Sequence, residues 1–419
     1  MIIELGFGKE KKQLSVKSEN LLGVLVPNQV EVELTGKEEV IRALNNPIDS
    51  PKLREIIKPG EKIAIITSDI TRPVPNKILL PLVLEELWQA GVKDEDITIV
   101  FALGSHRFHT EEEKISLVGE EIYHRIKCID SDQKDCVRLG YTKFGTPVDV
   151  FRPVAEADRR ICLGNIEYHY FAGYSGGAKA IMPGVSSREA IQANHSRMVE
   201  VEAHAGNIAT NPVRQDIDEV AKFVSCDFIL NVILNEQKQI IKAVAGHYLS
   251  AHRKGCEFLD QLYKVKIKEK ADIVIVSAGG FPKDINLYQA QKALDNAKHA
   301  VKKGGIIILV AACSEGFGEK VFEDWMLSVS KPEDLINRIK ERFQLGGHKA
   351  AAIAMVLREA EIFLVSELNP DIVRQIFLTP FTSLEQALAR AFKKKGPSAK
   401  VYVIPYGGAT LPYVTAHTN

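Results

Sequence analysis

The densest gathering of chemically useful side chains lies between Asn165 and Gly184. It holds Gly173, Gly176, Gly177 and Gly184, the aromatic residues Tyr168, Tyr170, Phe171 and Tyr174, one histidine, His169, and one lysine, Lys179. Glycines let a backbone approach a ligand closely and adopt conformations other residues avoid. A lysine alone among small and apolar neighbours is either a phosphate partner or an amine nucleophile for covalent attachment. The spacing does not fit G-x-x-x-x-G-K-[ST], which disfavours an ordinary P-loop. A flexible surface loop is the plain alternative, and the flanking aromatics speak against it.

Three other places carry comparable chemistry. Asp69, Ile70, Thr71 and Arg72 precede Pro73; a guanidinium fork there suits a carboxylate or phosphate, and a helix start adds N–H donors. A turn with a surface ion pair is the alternative. Gly104, Ser105, His106 and Arg107 follow an apolar run, so His106 is placed either for proton transfer near neutral pH or for bonding a turn carbonyl. His109 is read as a turn residue outside the reacting centre. Tyr288, Gln289 and Lys292 sit at i, i+1 and i+4 of a helical stretch, a face able to clamp a carboxylate or simply to meet solvent. His195, with Arg188 and Arg197 nearby, is sixteen residues beyond Lys179. A lone helical histidine is usually structural, but imidazole also suits nickel.

The elements that must position these residues alternate short β-branched runs with helical patterns, the mark of parallel sheets with crossover helices. Strands are expected at 62–69, 97–104 and 159–165, with a helix over 76–91, a capping box at Thr110 and Glu113, and a helix over 187–197. The second half repeats the alternation: strands at 271–277, 304–312, 361–366 and 400–405, with helices near 286–303, within 331–360, and over 383–395. The fold class is therefore α/β, with two domains, each carrying a largely parallel sheet. The charged stretch 264–270 marks the boundary. The expected division is 1–266 for an N-terminal α/β domain, 267–405 for a Rossmann-like α/β domain, and 406–419 for a tail returning to the N-terminal domain. Ligands of open α/β sheets sit beyond the carboxyl ends of the strands, where all four segments fall, and the site is expected in the cleft between the halves.

Composition excludes several classes. Lys plus Arg and Asp plus Glu each total 54, so no global field draws nucleic acid or an anionic membrane. Neither a signal peptide nor a membrane-spanning run is evident. Six scattered cysteines without a C-x-x-C pair read as reduced thiols of a cytoplasmic protein.

Taken together, D-I-T-R-P, G-S-H-R, E-Y-H-Y-F-A-G-Y-S-G-G-A-K-A-I-M-P-G, the A-N-H ending at His195, and Y-Q-A-Q-K resemble the nickel-dependent lactate racemase family over residues 60–300. The resemblance implies a nickel pyridinium-3,5-bisthiocarboxylate mononucleotide, a pincer bonded to Lys179 as a thioamide. It puts His195 and Lys179 at the metal and makes His106 and His169 the acid/base pair on opposite substrate faces. Asp69, Ile70, Thr71, Arg72 and Lys179 would bind the cofactor, and Arg72, Tyr288, Gln289 and Lys292 the substrate. The implied reaction interconverts D- and L-lactate through pyruvate. Hydride is the transferable form of the α-hydrogen, because a carboxylate poorly stabilises an adjacent carbanion, and no side chain accepts hydride, so a cofactor must. The implied partners are a small 2-hydroxy acid and the enzymes that make the cofactor, with no nucleic acid and no membrane. Other readings are a racemase or epimerase of malate, a short aliphatic hydroxy acid or a sugar acid, and a non-catalytic cofactor carrier. A nicotinamide-dependent dehydrogenase lacks support, since no G-x-G-x-x-G opens a helix after a strand.

Overall fold

A computed structural model describes residues 2–414. The chain forms two compact units, one made of Val30–Asp260 and the other of Met1–Gln29 together with Gln261–Asn419. The first is thus inserted into the second. Asn28 ties the two ends of the split unit together: its backbone N–H donates to Leu262 O at 2.7 Å, and its side-chain amide to Gln261 O and Lys264 O at 2.9 and 3.0 Å.

The inserted unit is built on a six-stranded sheet in the order Ile240–Gly246, Phe228–Leu234, Arg159–Asn165, Ile63–Ser68, Ile97–Ala102, Lys127–Asp130. Every pairing is parallel except that of Ile240–Gly246 with Phe228–Leu234. Strands buried on both faces need continuous apolar runs; Ile63, Ala64, Ile65 and Ile66 in one strand and Ile161, Cys162 and Leu163 in the next supply them. The chain winds outward in both directions from Ile63–Ser68, so the strand order reverses between that strand and Arg159–Asn165. This is a topological switch point, where such sheets bind ligands. The expected capping box forms: Thr110 Oγ1 accepts from Glu113 N–H at 3.3 Å and the Glu113 carboxylate from Thr110 N–H at 2.9 Å.

The split unit carries a wholly parallel six-stranded sheet, ordered Thr379–Phe381, Ala360–Val365, Val301–Val310, Ala271–Ser277, Val401–Ile404, Leu21–Val24. The α/β class and the two-domain organisation match the sequence expectation, but the division does not. Residues 1–29, expected in the N-terminal domain, belong here. Ile3, Leu5, Phe7 and Leu14 of the hairpin Ile2–Phe7/Glu10–Ser15, and Val16 just after it, pack into the core of Ile273, Ile275, Ile306 and Ile308, and Leu21–Val24 extends the sheet. The charged stretch expected as a boundary contains the strand Lys264–Ile267, which pairs with Leu411–Val414. The tail expected to reach the N-terminal domain is therefore held within the split unit through residue 414, and residues 415–419 lie outside the described residues. Among the described residues no helix is long and apolar enough to cross a membrane.

Candidate active site

Three neighbouring strands of the inserted unit deliver the candidate residues from their carboxyl ends. Asp69–Arg72 follows Ile63–Ser68, His106 follows Ile97–Ala102, and the glycine-rich loop follows Arg159–Asn165.

In the first turn, Asp69 is buried and its Oδ2 is tightly hydrogen bonded to His106 Nδ1. Thr71 Oγ1 donates to Asp69 Oδ1 at 2.7 Å. A carboxylate only accepts, so Nδ1 of His106 carries a proton, and in the neutral ring Nε2 offers the lone pair. Burial opposes charge on Asp69. The His106 imidazole, with Thr71 and Arg72 behind it, outweighs that and holds the carboxyl below its ordinary range. His109 supports the same turn from outside the centre: its Nε2 accepts from Ile70 N–H at 3.1 Å and its Nδ1 donates to Asp130 at 2.7 Å.

Phe171 is the hub of the glycine-rich loop. Its ring meets the His169 ring edge-on with centroids 4.5 Å apart and the His195 ring at 5.0 Å, and Lys179 Nζ lies 5.9 Å from its centroid. One aromatic ring thus gathers the lysine and two of the three candidate histidines. Arg72, 3.9 Å from Glu167, brings the Asp69 turn to the same group.

The charges around this hub act on each other. Burial, and then the positive charges of Arg214 and Arg72, push the Lys179 amine well below 10.5, opposed only by Glu167. Burial, then Lys179, Arg72, His195 and Arg214, push His169 well below its ordinary value. His169 Nδ1 accepts from Ala172 N–H at 3.2 Å, so the neutral ring carries its proton on Nε2. A depressed lysine pKa means the folded amine is neutral at a pH where an unfolded one is charged. In unloaded protein, acylation of Lys179 should therefore reach its plateau at a lower pH than that of the surface lysines, read by peptide mass. A Lys179 profile that superposes on theirs would refute the neutral amine.

The loop's conformation is imposed by side chains that no motif revealed. Fully buried Arg214, on the helix Pro212–Val224, donates to the carbonyls of Tyr174, of Ala172 (3.4 Å) and of Gly176 (3.5 Å). Asn211 Nδ2 donates to Phe171 O at 2.9 Å and His252 Nε2 to Ser175 O at 2.8 Å, while the Tyr168 and Tyr174 hydroxyls both reach Asp260. Gly177 has φ +60° and lies against the His252 ring, where a Cβ would come within 2.9 Å. Arg214→Leu would strip the guanidinium donor from Tyr174 O, leave Ala172 O and Gly176 O with only their backbone donors, and take a cation from Asp218. It should cost about 3 kcal/mol or more, measured as a lower urea midpoint, and an unchanged midpoint would mean the clamp is not structural.

Tyr288, Gln289 and Lys292 lie in the split unit, on the first turns of the helix Leu287–Ala297, whose N-cap Asn286 accepts from Gln289 N–H at 2.9 Å. Lys349, not singled out in the sequence, donates to Tyr288 O at 2.6 Å and lies over its ring at 4.1 Å. A dinucleotide is poorly accommodated at the end of the strand Ala271–Ser277, because the N-terminal hairpin occupies it. Ser277 Oγ donates to Gly6 O at 2.7 Å, Phe281 N–H to Gly8 O at 2.7 Å, and a Cβ on Gly6 would meet Gly279 and Gly280 backbone at 2.7 Å.

Among the described residues no three His, Cys, Asp or Glu side chains are grouped to hold a metal. A metal at this hub would take an imidazole as its protein donor and draw its remaining donors from a bound group.

Comparison with known proteins assigns the family. Residues 7–206 match the family described as lactate racemase N-terminal domain, and residues 266–411 that described as lactate racemase C-terminal domain. The chain is 35% identical to a lactate racemase of Thermoanaerobacterium thermosaccharolyticum, covering 98% of both chains, and 34% identical to one of Lactiplantibacillus plantarum, covering 97% of this chain and 98% of the relative. The solved lactate racemase apoprotein from T. thermosaccharolyticum superposes with a TM-score of 0.88 at 34% identity, covering 98% of this chain and all of that one. A Thermotoga maritima protein at 19% identity and TM-score 0.62, covering 90% and 97%, shares the fold. The chain belongs to the lactate racemase family and is an isomerase.

Proposed function

We propose that this protein interconverts D- and L-lactate through pyruvate, using a nickel pyridinium-3,5-bisthiocarboxylate mononucleotide bonded to Lys179. When bound, that group supplies the hydride acceptor that side chains lack. The observation that carries the reading is the Phe171 hub, where a lysine with a strongly lowered pKa and the His169 and His195 imidazoles share one ring, with the Asp69–His106 pair on the adjoining strand end.

The residues divide the work as follows. Lys179 as the neutral amine is the nucleophile for attachment, and His195 is the ligand to nickel. Asp69, Ile70, Thr71 and Arg72 bind the nucleotide, Arg72 and the N–H groups of the turn suiting its phosphate. His106, oriented by Asp69, presents Nε2 to take the hydroxyl proton of one enantiomer. His169 faces the other side of the substrate. Its Nε2 carries a proton in the neutral ring, so it acts as donor there, and its turn as base through Nε2 requires release of the Ala172 N–H contact. Arg72, Tyr288, Gln289 and Lys292 bind the substrate. The mononucleotide must come from other enzymes, and six unpaired cysteines suit the cytoplasm.

Chiral analysis of L-lactate incubated with the nickel-loaded protein tests the reading. Optical purity should decay to a racemate, and full retention would remove lactate as the substrate.

A further inference from the structure

His195 is the last residue of the helix Arg188–His195, and the side chain before it, Asn194, is fully buried. Asn194 Nδ2 donates to two groups that can only accept: Val213 O at 3.2 Å and Asp216 Oδ2 at 2.8 Å. Those two bonds fix which end of the amide is nitrogen, a choice that shape alone leaves open. The other end, Oδ1, lies 2.9 Å from His195 Nδ1. An amide oxygen cannot donate, so the proton of that contact belongs to the imidazole.

Asp216 is itself locked. Thr142 Oγ1 donates to its Oδ1 and Thr146 Oγ1 to its Oδ2, each at 2.6 Å. The Thr142 hydroxyl oxygen accepts from Phe144 N–H and Thr146 N–H at 3.3 Å, which leaves its hydrogen for the carboxylate. Thr142, Thr146, Asn194 and Asp216 are all buried. The chain of orientation thus runs from the turn between Cys136–Tyr141 and Pro147–Phe151, through the helix Pro212–Val224, to the end of Arg188–His195.

We propose that Asn194, locked by Asp216 and its two threonines, is a positioning residue that holds His195 in the Nδ1–H tautomer and so presents the Nε2 lone pair for metal coordination. The metal-directed part rests on the proposed role of His195 as nickel ligand; the tautomer does not. Partners of this kind fix ring orientation and tautomer of a ligating histidine, and their loss weakens metal binding by about 10–100-fold. A carboxylate in direct contact would do the same while adding a charge; relaying it through an amide orients the ring and leaves the ligand neutral.

Long-range 1H–15N spectra of the 15N-histidine-labelled apoprotein, at about pH 8 where imidazoles are neutral, read the tautomer directly. His195 is identified by the signal lost in His195→Gln. The expected wild-type pattern is a protonated Nδ1 and a lone-pair Nε2. Asn194→Leu should lose the preference, and Asp216→Asn should shift it toward Nε2–H, because the Asn194 amide is then free to turn over. A wild-type proton on Nε2, or an unchanged pattern in Asn194→Leu, overturns the proposal, and the wild-type spectrum decides even if a variant does not fold. In loaded protein competed with a chelator, Asn194→Leu should hold nickel about 10–100-fold more weakly. If His195→Gln holds nickel like wild type, the ligand assignment fails and the lock loses its purpose. If His195→Gln loses nickel while Asn194→Leu retains it, the lock fails and the ligand assignment stands.

Discussion

Lys179→Arg will leave the protein folded and without racemase activity, and intact-mass measurement of the variant expressed beside the cofactor-making enzymes will show no adduct. A guanidinium keeps the long stem but stays protonated at any working pH, so it cannot attack as the neutral amine can. The environment of residue 179 sharpens the contrast, because burial first, and then Arg214 and Arg72, make charge there costly. The expected loss is at least about a thousandfold, since every later step depends on the attached group. Bonding that survives in Lys179→Arg, or an adduct mapped to another peptide, would remove the lysine from its central role.

His106→Ala and His169→Ala should each slow racemisation by about 10²–10⁴-fold, the range for removing a positioned acid or base, while the mass adduct on Lys179 persists. The pair separates an enzyme from a cofactor carrier, which has use for the Lys179 loop but none for two proton-transfer groups. The two variants should also differ. His106 is oriented by a buried carboxylate, whereas burial first, and then Arg72 and Arg214 nearby, keep His169 neutral. Activity that needs the neutral His169 ring is therefore kept to a pH well below the ordinary histidine range and is lost as pH falls further, and His106→Ala exposes that limb. Loss of the adduct in either variant would assign that histidine to binding instead.

Much of the scaffold could be read before any coordinates, and the reason is local. Arg159–Asn165 and Ala271–Ser277 fall on the residues expected for them because strands buried on both faces need unbroken apolar runs, and turn residues end them. The candidate segments were singled out for a related reason: each follows a strand, where such folds put ligands. What escaped depends on pairing between distant residues. Ile3, Leu5 and Phe7 alternate as a strand should, yet nothing local tells that the core they pack into, Ile273 and Ile275 among it, lies more than 250 residues later. Arg214, four residues from Asp218 on a helix, reads like a solvated ion pair. Its burial under the loop follows only from where that loop folds. Asn194 was passed over as the neighbour of His195, since an asparagine's orientation is set by partners twenty residues away.

The strap at Asn28 bears on how the chain acquires its shape. Bringing residue 28 to residue 262 across a flexible segment would cost loop-closure entropy on the order of 5 kcal/mol. If Val30–Asp260 condenses first around its own core, that long segment becomes a finished body, and much of the cost has already been met when Gln261 emerges. The ribosome delivers the parts in that order. The opening hairpin then waits, its apolar face uncovered, until the strand Ala271–Ser277 is synthesised, which makes those first residues the stretch most in need of protection during biogenesis.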